Sequence, residues 1–477
     1  MTRESARALI RARILPLIVA TALFMENLDS TVIATSLPRI AQDLGTSPIH
    51  LKLALTSYLL ALAIFIPASG WMADRFGPRT IFRLAIIIFA AGSISCGASH
   101  GLTWLVISRV VQGMGGSMMV PVGRLIVLRT TPKAGFVNAL AWLTVPALVG
   151  PVMGPPLGGF ITTYFDWRWI FWINIPIAVL GVALATAFIP KITTDGVRSF
   201  DFLGFAMVGP GLAAFLTGVT MAGLGLASAG VMATLIVGGL LLVVLYVRHA
   251  LRVEAPLVDL RLLAIPTFRL AALGGTLFRV GGGALPFLLP LMFQLGFGLT
   301  PFQSGMMTFA TGVGAITMKF MAQRLLNRFG FRNILLWNAV LGALFLAAPA
   351  GFTATMPYLL MVGTLFMGGI FRSLQFTSIN AVAYCEVPQE RLSSATSFNA
   401  VLQQLSSSIG ITVAAFGLES VQAYSGSTEI TAATFPPVFL LVAAISFSSI
   451  IWFSKLAPDA GGDLLQRHAG PKPAAAE

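Results

Sequence analysis

Charge is scarce in this chain: of its 477 residues only 10% are Asp, Glu, Lys or Arg, and 17 acids face 30 bases. Together with 56% hydrophobic residues and a mean hydropathy of +0.87, that excludes an ordinary water-soluble domain. Cysteine is nearly absent. Cys96 and Cys385 both fall in apolar stretches, so they read as small packing residues, and no disulfide framework is expected. The four histidines, His50, His100, His249 and His468, lie outside span interiors and away from metal-ligand spacing, which leaves no metal site and little support for an enzyme. No GxxxxGK[ST] phosphate loop occurs, so ATP hydrolysis by that route is excluded. Work must come from a gradient or a partner, and no cofactor is expected.

What the chain has instead is long apolar runs. Segments able to cross a hydrocarbon core of about 30 Å can be marked near 14–38, 52–73, 80–99, 103–127, 136–163, 167–190, 203–223, 228–248, 267–297, 303–323, 332–351, 355–380, 394–421 and 434–455. They define an all-α polytopic membrane protein with fourteen expected spans. The first run is too long and too acidic for a cleaved leader, and is expected to stay as a helix.

The formal charge of +13 suggests nucleic acid, but the bases are not gathered in one domain. They recur on one side of the expected topology: Arg3, Arg7, Arg11 and Arg13; Arg75, Arg79 and Arg83; Arg248, Arg252, Arg261 and Arg269; Arg324, Arg328 and Arg332. Outer loops are expected to hold only Arg39, Lys52 and Arg168. The positive-inside rule then puts both termini in the cytoplasm and requires an even number of spans.

Two acids lie well inside apolar segments, and both are on the first one: Glu26 and Asp29 in FMENLDSTVIATSLP. A carboxylate at that depth costs roughly 2.5–3.5 kcal/mol on insertion scales and marks a candidate functional site. Asp29 lies about 21 Å into the core from one side and Arg109 of the fourth span about 9 Å from the other, so the two come out level. Arg109, Gln112 and Gly116 share a helix face at i, i+3 and i+7. An arginine keeps its proton in such a setting; its charge can stabilise a neighbouring carboxylate and release it when helices move. A fixed structural ion pair is the simpler alternative for Arg109. Glu26 is open between a second proton site, a substrate contact and a group that wets a cavity.

The loop ADRFGPR (Ala73 to Arg79) returns as LNRFGFR (Leu326 to Arg332) at an offset of 253, which also carries Met114-Gly115-Gly116 onto Met367-Gly368-Gly369. The chain therefore reads as two six-helix halves with two helices inserted between them. The expected division is a cytoplasmic N-terminus 1–13, a first bundle 14–190, a linker 191–202, the inserted pair 203–248, a linker 249–266, a second bundle 267–455 and a tail 456–477. Duplicated halves around a central cavity are the architecture of alternating-access transporters.

Four motifs carry a resemblance: GWMADRFGPR (Gly70 to Arg79), SRVVQGMGG around Arg109, GPVMGPPLGG (Gly150 to Gly159) and DWRWIFWINIP (Asp166 to Pro176). Together with LDST at Leu28 to Thr31 they resemble the major facilitator superfamily over nearly the whole chain, in its fourteen-helix drug:proton antiporter branch of the EmrB/QacA type. The resemblance implies roles. Gly70, Asp74, Arg75, Gly77 and Arg79 would form a cytoplasmic latch between the halves, although Pro78 replaces a basic residue of the pattern. Gly150, Gly154, Pro155, Gly158 and Gly159 would form a kinked helix with a side-chain-free groove that seals the cavity, or else merely a small-residue packing face. Ala34 and Ala141 also depart from the branch. Asp29 would carry the proton with Arg109 as its tuner, while the Trp-rich segment carries little functional weight of its own.

Within the spans bases outnumber acids, and Arg279 and Arg372 of the second half have no acid at depth to meet. With Gln112 they are candidate cavity residues, and they favour neutral or anionic amphipathic cargo over lipophilic dications. Phe278, Phe287, Phe293, Met306 and Met307 could line a soft pocket or face lipid or core. The expectation is a monomeric proton-driven exporter in a bacterial inner membrane, binding small amphipathic compounds and protons, with no nucleic-acid partner and the need for a periplasmic adaptor open. A facilitator or importer on the same fold is the nearest rival; a scaffold, sensor or channel is less favoured.

Overall fold

In lipid every backbone N–H and C=O must be satisfied internally, and the α-helix does this within a single segment. The computed structural model describes residues 3–130, 136–191, 199–224, 228–254, 256–388, 391–426 and 429–462, and no strand occurs among them. The first half comprises α1 (Arg3–Val32), α2 (Leu37–Asp43), α3 (Lys52–Phe76), α4 (Pro78–Gly97), α5 (Leu102–Thr130), α6 (Phe136–Tyr164), α7 (Trp169–Trp172) and α8 (Asn174–Phe188). An inserted hairpin, α9 (Phe202–Leu224) and α10 (Ala229–Ala250), follows. The second half comprises α11 (Pro266–Leu291), α12 (Pro301–Phe329), α13 (Phe331–Ala347), α14 (Tyr358–Tyr384), α15 (Leu392–Ser425), α16 (Phe435–Phe447) and α17 (Ile450–Phe453).

Twelve spans among the described residues are long and apolar enough to cross a membrane. α6 and α12, at 29 residues each, reach the length without entering that set. In α12 the apolar run is diluted by Gln303, Thr308, Thr311, Thr317 and Lys319. Proline explains the breaks. The ring of Pro38 would clash with the Ala34 carbonyl, and α1 gives way there to a 3₁₀ turn at Ile33–Ser36. α11, with Pro286 and Pro290, ends in a π-helical turn at Met292–Gly296.

The 253-residue offset runs through the coordinates. It maps the end of α3 at Phe76 onto the end of α12 at Phe329, and Asp43 at the end of α2 onto Gly296. The two turns share one backbone conformation, with Gly77 at φ 86° and Gly330 at φ 77°, a region that only glycine enters without strain.

The core shows which end of the molecule is closed. At the end opposite these turns, a single buried cluster unites Leu37, Ile40 and Phe171 of the first half with Phe287, Phe293 and Leu418 of the second. At the turn end the halves keep separate cores, one around Phe82, Phe89 and Ile126, the other around Phe268, Phe331 and Ile379; Val401 of α15 joins the former. The turn end is therefore the open one. Phe287, Phe293 and Met307 belong to the shared core, whereas Met306 is exposed. The inserted hairpin packs at the flank of α3, with Phe205 against Phe65 at 5.6 Å, and exposes Val237, Leu240 and Leu241 of α10. Asp201 ties its base by accepting from His249 Nε2 at 2.7 Å and from the Gly204 amide at 2.8 Å.

Candidate functional site

Asp29 is 1% exposed and Arg109 wholly buried, and Arg109 Nη1 donates to Asp29 Oδ2 at 2.5 Å. The carboxylate is held by three side chains from two helices. Gln112 Nε2 of α5 donates to its Oδ1 at 2.8 Å, and Asn174 Nδ2 at the start of α8 donates to the same oxygen at 2.9 Å. Ser93 of α4 accepts from Gln112 and Asn174 at 3.2 and 3.1 Å and donates to the Phe171 carbonyl at 2.8 Å. Arg109 also donates from Nε to the Ala54 carbonyl at 3.2 Å and from Nη1 to Gln112 Oε1 at 2.7 Å, and its guanidinium lies 4.1 Å from the centre of the Tyr58 ring. Each member thus has at least one partner, with Asn174 Oδ1 left buried without one. Stripping one partner from such a pair costs about 3–5 kcal/mol.

Glycine brings the helices this close. A Cβ at Gly92 would meet the Gln112 backbone at 2.6–2.7 Å, so α4 and α5 touch where the network crosses between them. In lipid such packing replaces hydrophobic burial as the source of helix association. The Gly150 to Gly159 segment of α6 does the same beside Asp29: a Cβ at Gly150 would meet the Leu28 amide at 3.0 Å, one at Gly154 would overlap Thr31, and one at Gly158 would overlap Val32. Gly159 faces the other way and abuts Pro301 of α12, while Gly305 of α12 abuts Pro155. The segment therefore clamps α1 within its own half and α12 of the other.

Glu26 lies one helical turn from Asp29, is 7% exposed and makes no ion pair within 4.0 Å among the described residues. Its side chain borders Gly116, as does the Tyr58 hydroxyl, which is buried without a hydrogen-bond partner. Arg124 of α5 is exposed.

In the second half Arg279 is 4% exposed, and Arg372 lines a small, partly open cleft with Phe278, Gly282, Leu346 and Leu365. At the turn end Asp74 accepts from Arg129 of α5 at 2.7 Å, and Arg79 donates to the Thr186 carbonyl of α8. Both contacts stay within the first half. Arg75 is exposed, and Gly70 has open space where a Cβ would stand. Ala141 lies where side chains are outside the described residues.

Sequence reasoning missed Asn174, Ser93 and Tyr58 as partners of the pair. Asn174 sits in the Trp-rich segment that had been given little weight, and a lone Asn in an apolar helix was its only signal. It also set Lys52 in an outer loop, whereas Lys52 is fully buried at the start of α3. No group of three or more metal-ligating side chains occurs among the described residues.

Paired helical halves, an interior closed at one end, and a carboxylate–arginine pair at membrane depth define a multi-pass membrane transporter. The sequence matches the description Major Facilitator Superfamily over residues 19–199 and 271–476, and the chain belongs to that superfamily. It is 37% identical over 453 residues to a protein named as multidrug resistance protein MdtD from Salmonella paratyphi B, covering 93% of this chain and 94% of that one. The protein of the same name from Klebsiella pneumoniae strain 342 is 38% identical over 458 residues, with 94% and 96% covered. Among solved structures, a D-xylose-proton symporter matches the fold with a TM-score of 0.68 at 13% identity, over 94% of this chain and 98% of that one.

Proposed function

We propose that the protein is a proton-coupled antiporter that exports small amphipathic compounds across the bacterial inner membrane by alternating access. The observation that carries this reading is Asp29, an acid at membrane depth clasped by Arg109, Gln112 and Asn174, in a chain whose relatives bear a multidrug-resistance name. In this reading α6 and α12 complete fourteen crossings, the turn end faces the cytoplasm with both termini, and the described conformation is inward-facing. The bundles 14–190 and 267–455 then move about the inserted pair 203–248. Asp29 exchanges the proton, and Arg109, which cannot give one up, holds the anion until α1 and α5 shift. No cofactor is required, since one proton crossing 100 mV supplies about 2.3 kcal/mol, roughly a fortyfold gradient of neutral cargo. The functional unit is a monomer. The facilitator reading is weaker, because a facilitator has no use for a buried titratable acid on the transport path.

The test is proton movement in proteoliposomes, followed with an internal pH dye while neutral, anionic and cationic amphiphiles are added, for the intact protein and for Asp29→Asn. Cargo-triggered proton flux that disappears in the variant supports antiport. Equal flux in both would remove Asp29 from the coupling path, and cargo movement without protons in either would leave the facilitator.

A further inference from the structure

We propose that the second half holds a seat for an anionic group of the cargo, a carboxylate or sulfonate, at Arg279, with Asn380, Asn399 and Tyr384 shaping it. This rests on the transport reading above and adds to it the charge class and the site. Arg279 of α11 is 4% exposed and its guanidinium lies 5.6 Å from the centre of the Phe376 ring, yet only its Nη2 is hydrogen-bonded, donating to Asn380 Oδ1 at 3.2 Å and Asn399 Oδ1 at 3.1 Å. Its Nε and Nη1 are buried with no hydrogen-bond partner, and no carboxylate lies within 4.0 Å of it among the described residues. A buried cation without a counter-charge is among the costliest arrangements a protein can keep, and it persists where something outside the chain completes it.

The two halves make the contrast internal to the molecule. Both arginines are buried and each has side-chain amide oxygen and an aromatic ring beside it, but only Arg109 is also met by a carboxylate and a backbone carbonyl. The 253-residue offset carries Glu26 onto Arg279, Asp29 onto Gly282, Ser93 onto Leu346 and Gln112 onto Leu365. The second half has thus lost every polar partner at these positions and gained a guanidinium. The vacated positions Gly282, Leu346 and Leu365 now line a small, partly open cleft together with Arg372, itself without a hydrogen bond or ion pair among the described residues.

The seat is also built. Asn399 Nδ2 donates to Tyr384 Oη at 2.8 Å and to Asn380 Oδ1 at 2.9 Å, which turns both amide oxygens toward Nη2 and leaves the other two guanidinium nitrogens free. The 253-residue offset makes Arg279 the counterpart of Glu26, so a carboxyl in the first half is answered by a guanidinium in the second. Of these two groups, an amphipathic anion could neutralise only Arg279.

The experiment is equilibrium binding to the full chain in nanodiscs, with 9-anthracenecarboxylate, its methyl ester and 9-anthracenemethylamine as fluorescent probes. The expected result is that the carboxylate binds and that Arg279→Gln weakens it tenfold or more while leaving the ester within twofold. Arg279→Gln without ligand should melt no lower than the intact protein, because it removes an uncompensated charge; Arg279→Lys and Asn399→Ala are the reserve variants. Unchanged carboxylate affinity in Arg279→Gln overturns the seat, and so does an equal loss of ester binding, which would mean a collapsed pocket. Arg279-dependent carboxylate binding in a protein that moves no protons would leave the seat standing and sink antiport.

Discussion

Lys52 at the start of α3 and Glu419 near the end of α15 are paired at 3.3 Å across the boundary between the halves, at the closed end of the molecule. Lys52 is completely buried, and the Glu419 side chain is 17% exposed, with its Oε2 buried and without a hydrogen-bond partner among the described residues. Opening that end must separate the two charges. Breaking a buried pair by removing one partner costs about 3–5 kcal/mol, and 1.4 kcal/mol already shifts a two-state equilibrium tenfold. In a background with Cys96 and Cys385 replaced by Ser, a cysteine at Ile49, which is 4% exposed in the shared core, should be modified tenfold faster or more when Glu419→Gln is added. The swap Lys52→Glu with Glu419→Lys should restore protection. Unchanged modification in Glu419→Gln would show that apolar packing alone shuts this end.

The same end carries an acid-sensitive neighbour. Burial and then the Lys52 ammonium hold the His50 imidazole below its ordinary value of 6.5. A depressed histidine binds its proton less well in the closed form, so closure is favoured above 6.5 and is lost as pH falls below it. Acidifying the medium at this end from pH 7 toward 5 should therefore raise modification of the Ile49 cysteine, and His50→Gln should flatten that rise. The same steep rise in His50→Gln would assign the effect to another group.

Asn174 gives Asp29 one of its three side-chain donors, and hydrogen bonds to a charged group are worth about 1.5–3 kcal/mol each. Asn174→Ala leaves the Asp29 carboxylate short of a donor and removes one of Ser93's partners. We expect a lower apparent melting temperature and a larger loss of cargo-driven proton flux than of cargo binding, with Asn174→Ser recovering part of each. Melting and flux equal to the intact protein would make Asn174 a bystander.

The strong signals in the sequence were charge and periodicity, and they reached as far as these physics reach. A carboxylate and an arginine at equal depth on separate helices have few other places to go, which is why Asp29 and Arg109 could be matched from helix rise alone. Neutral polar residues gave no such lead. Asn174, Ser93, Asn380 and Asn399 cost too little at membrane depth to stand out, and their partners come from helices whose mutual rotation is set by glycine contacts such as Gly92 on Gln112. Lys52 was misplaced because a lysine at a helix start normally points to water; only the approach of α15 from the other half encloses it with Glu419. The latch contacts of Asp74 were open to either half, and they depend on which end of the molecule is closed.

Two glycines of the motifs should respond to substitution in opposite ways, because one is packed in this state and the other is free. A Cβ at Gly154 would overlap Thr31 two residues from Asp29, so Gly154→Val must push α6 off α1. We expect weak expression and a lower melting temperature in every conformation. Gly70 on α3 has nothing within 4 Å of an added Cβ and is exposed at the open end. Gly70→Leu should therefore fold and melt as the intact protein does and bind cargo from the open side. Transport requires the halves to meet at that end, where a leucine would hold them apart, so turnover should fall at least tenfold while the Ile49 cysteine stays protected. Full transport by Gly70→Leu would mean that α3 does not pack at Gly70 in the alternate state, and that the glycine serves the loop beside it.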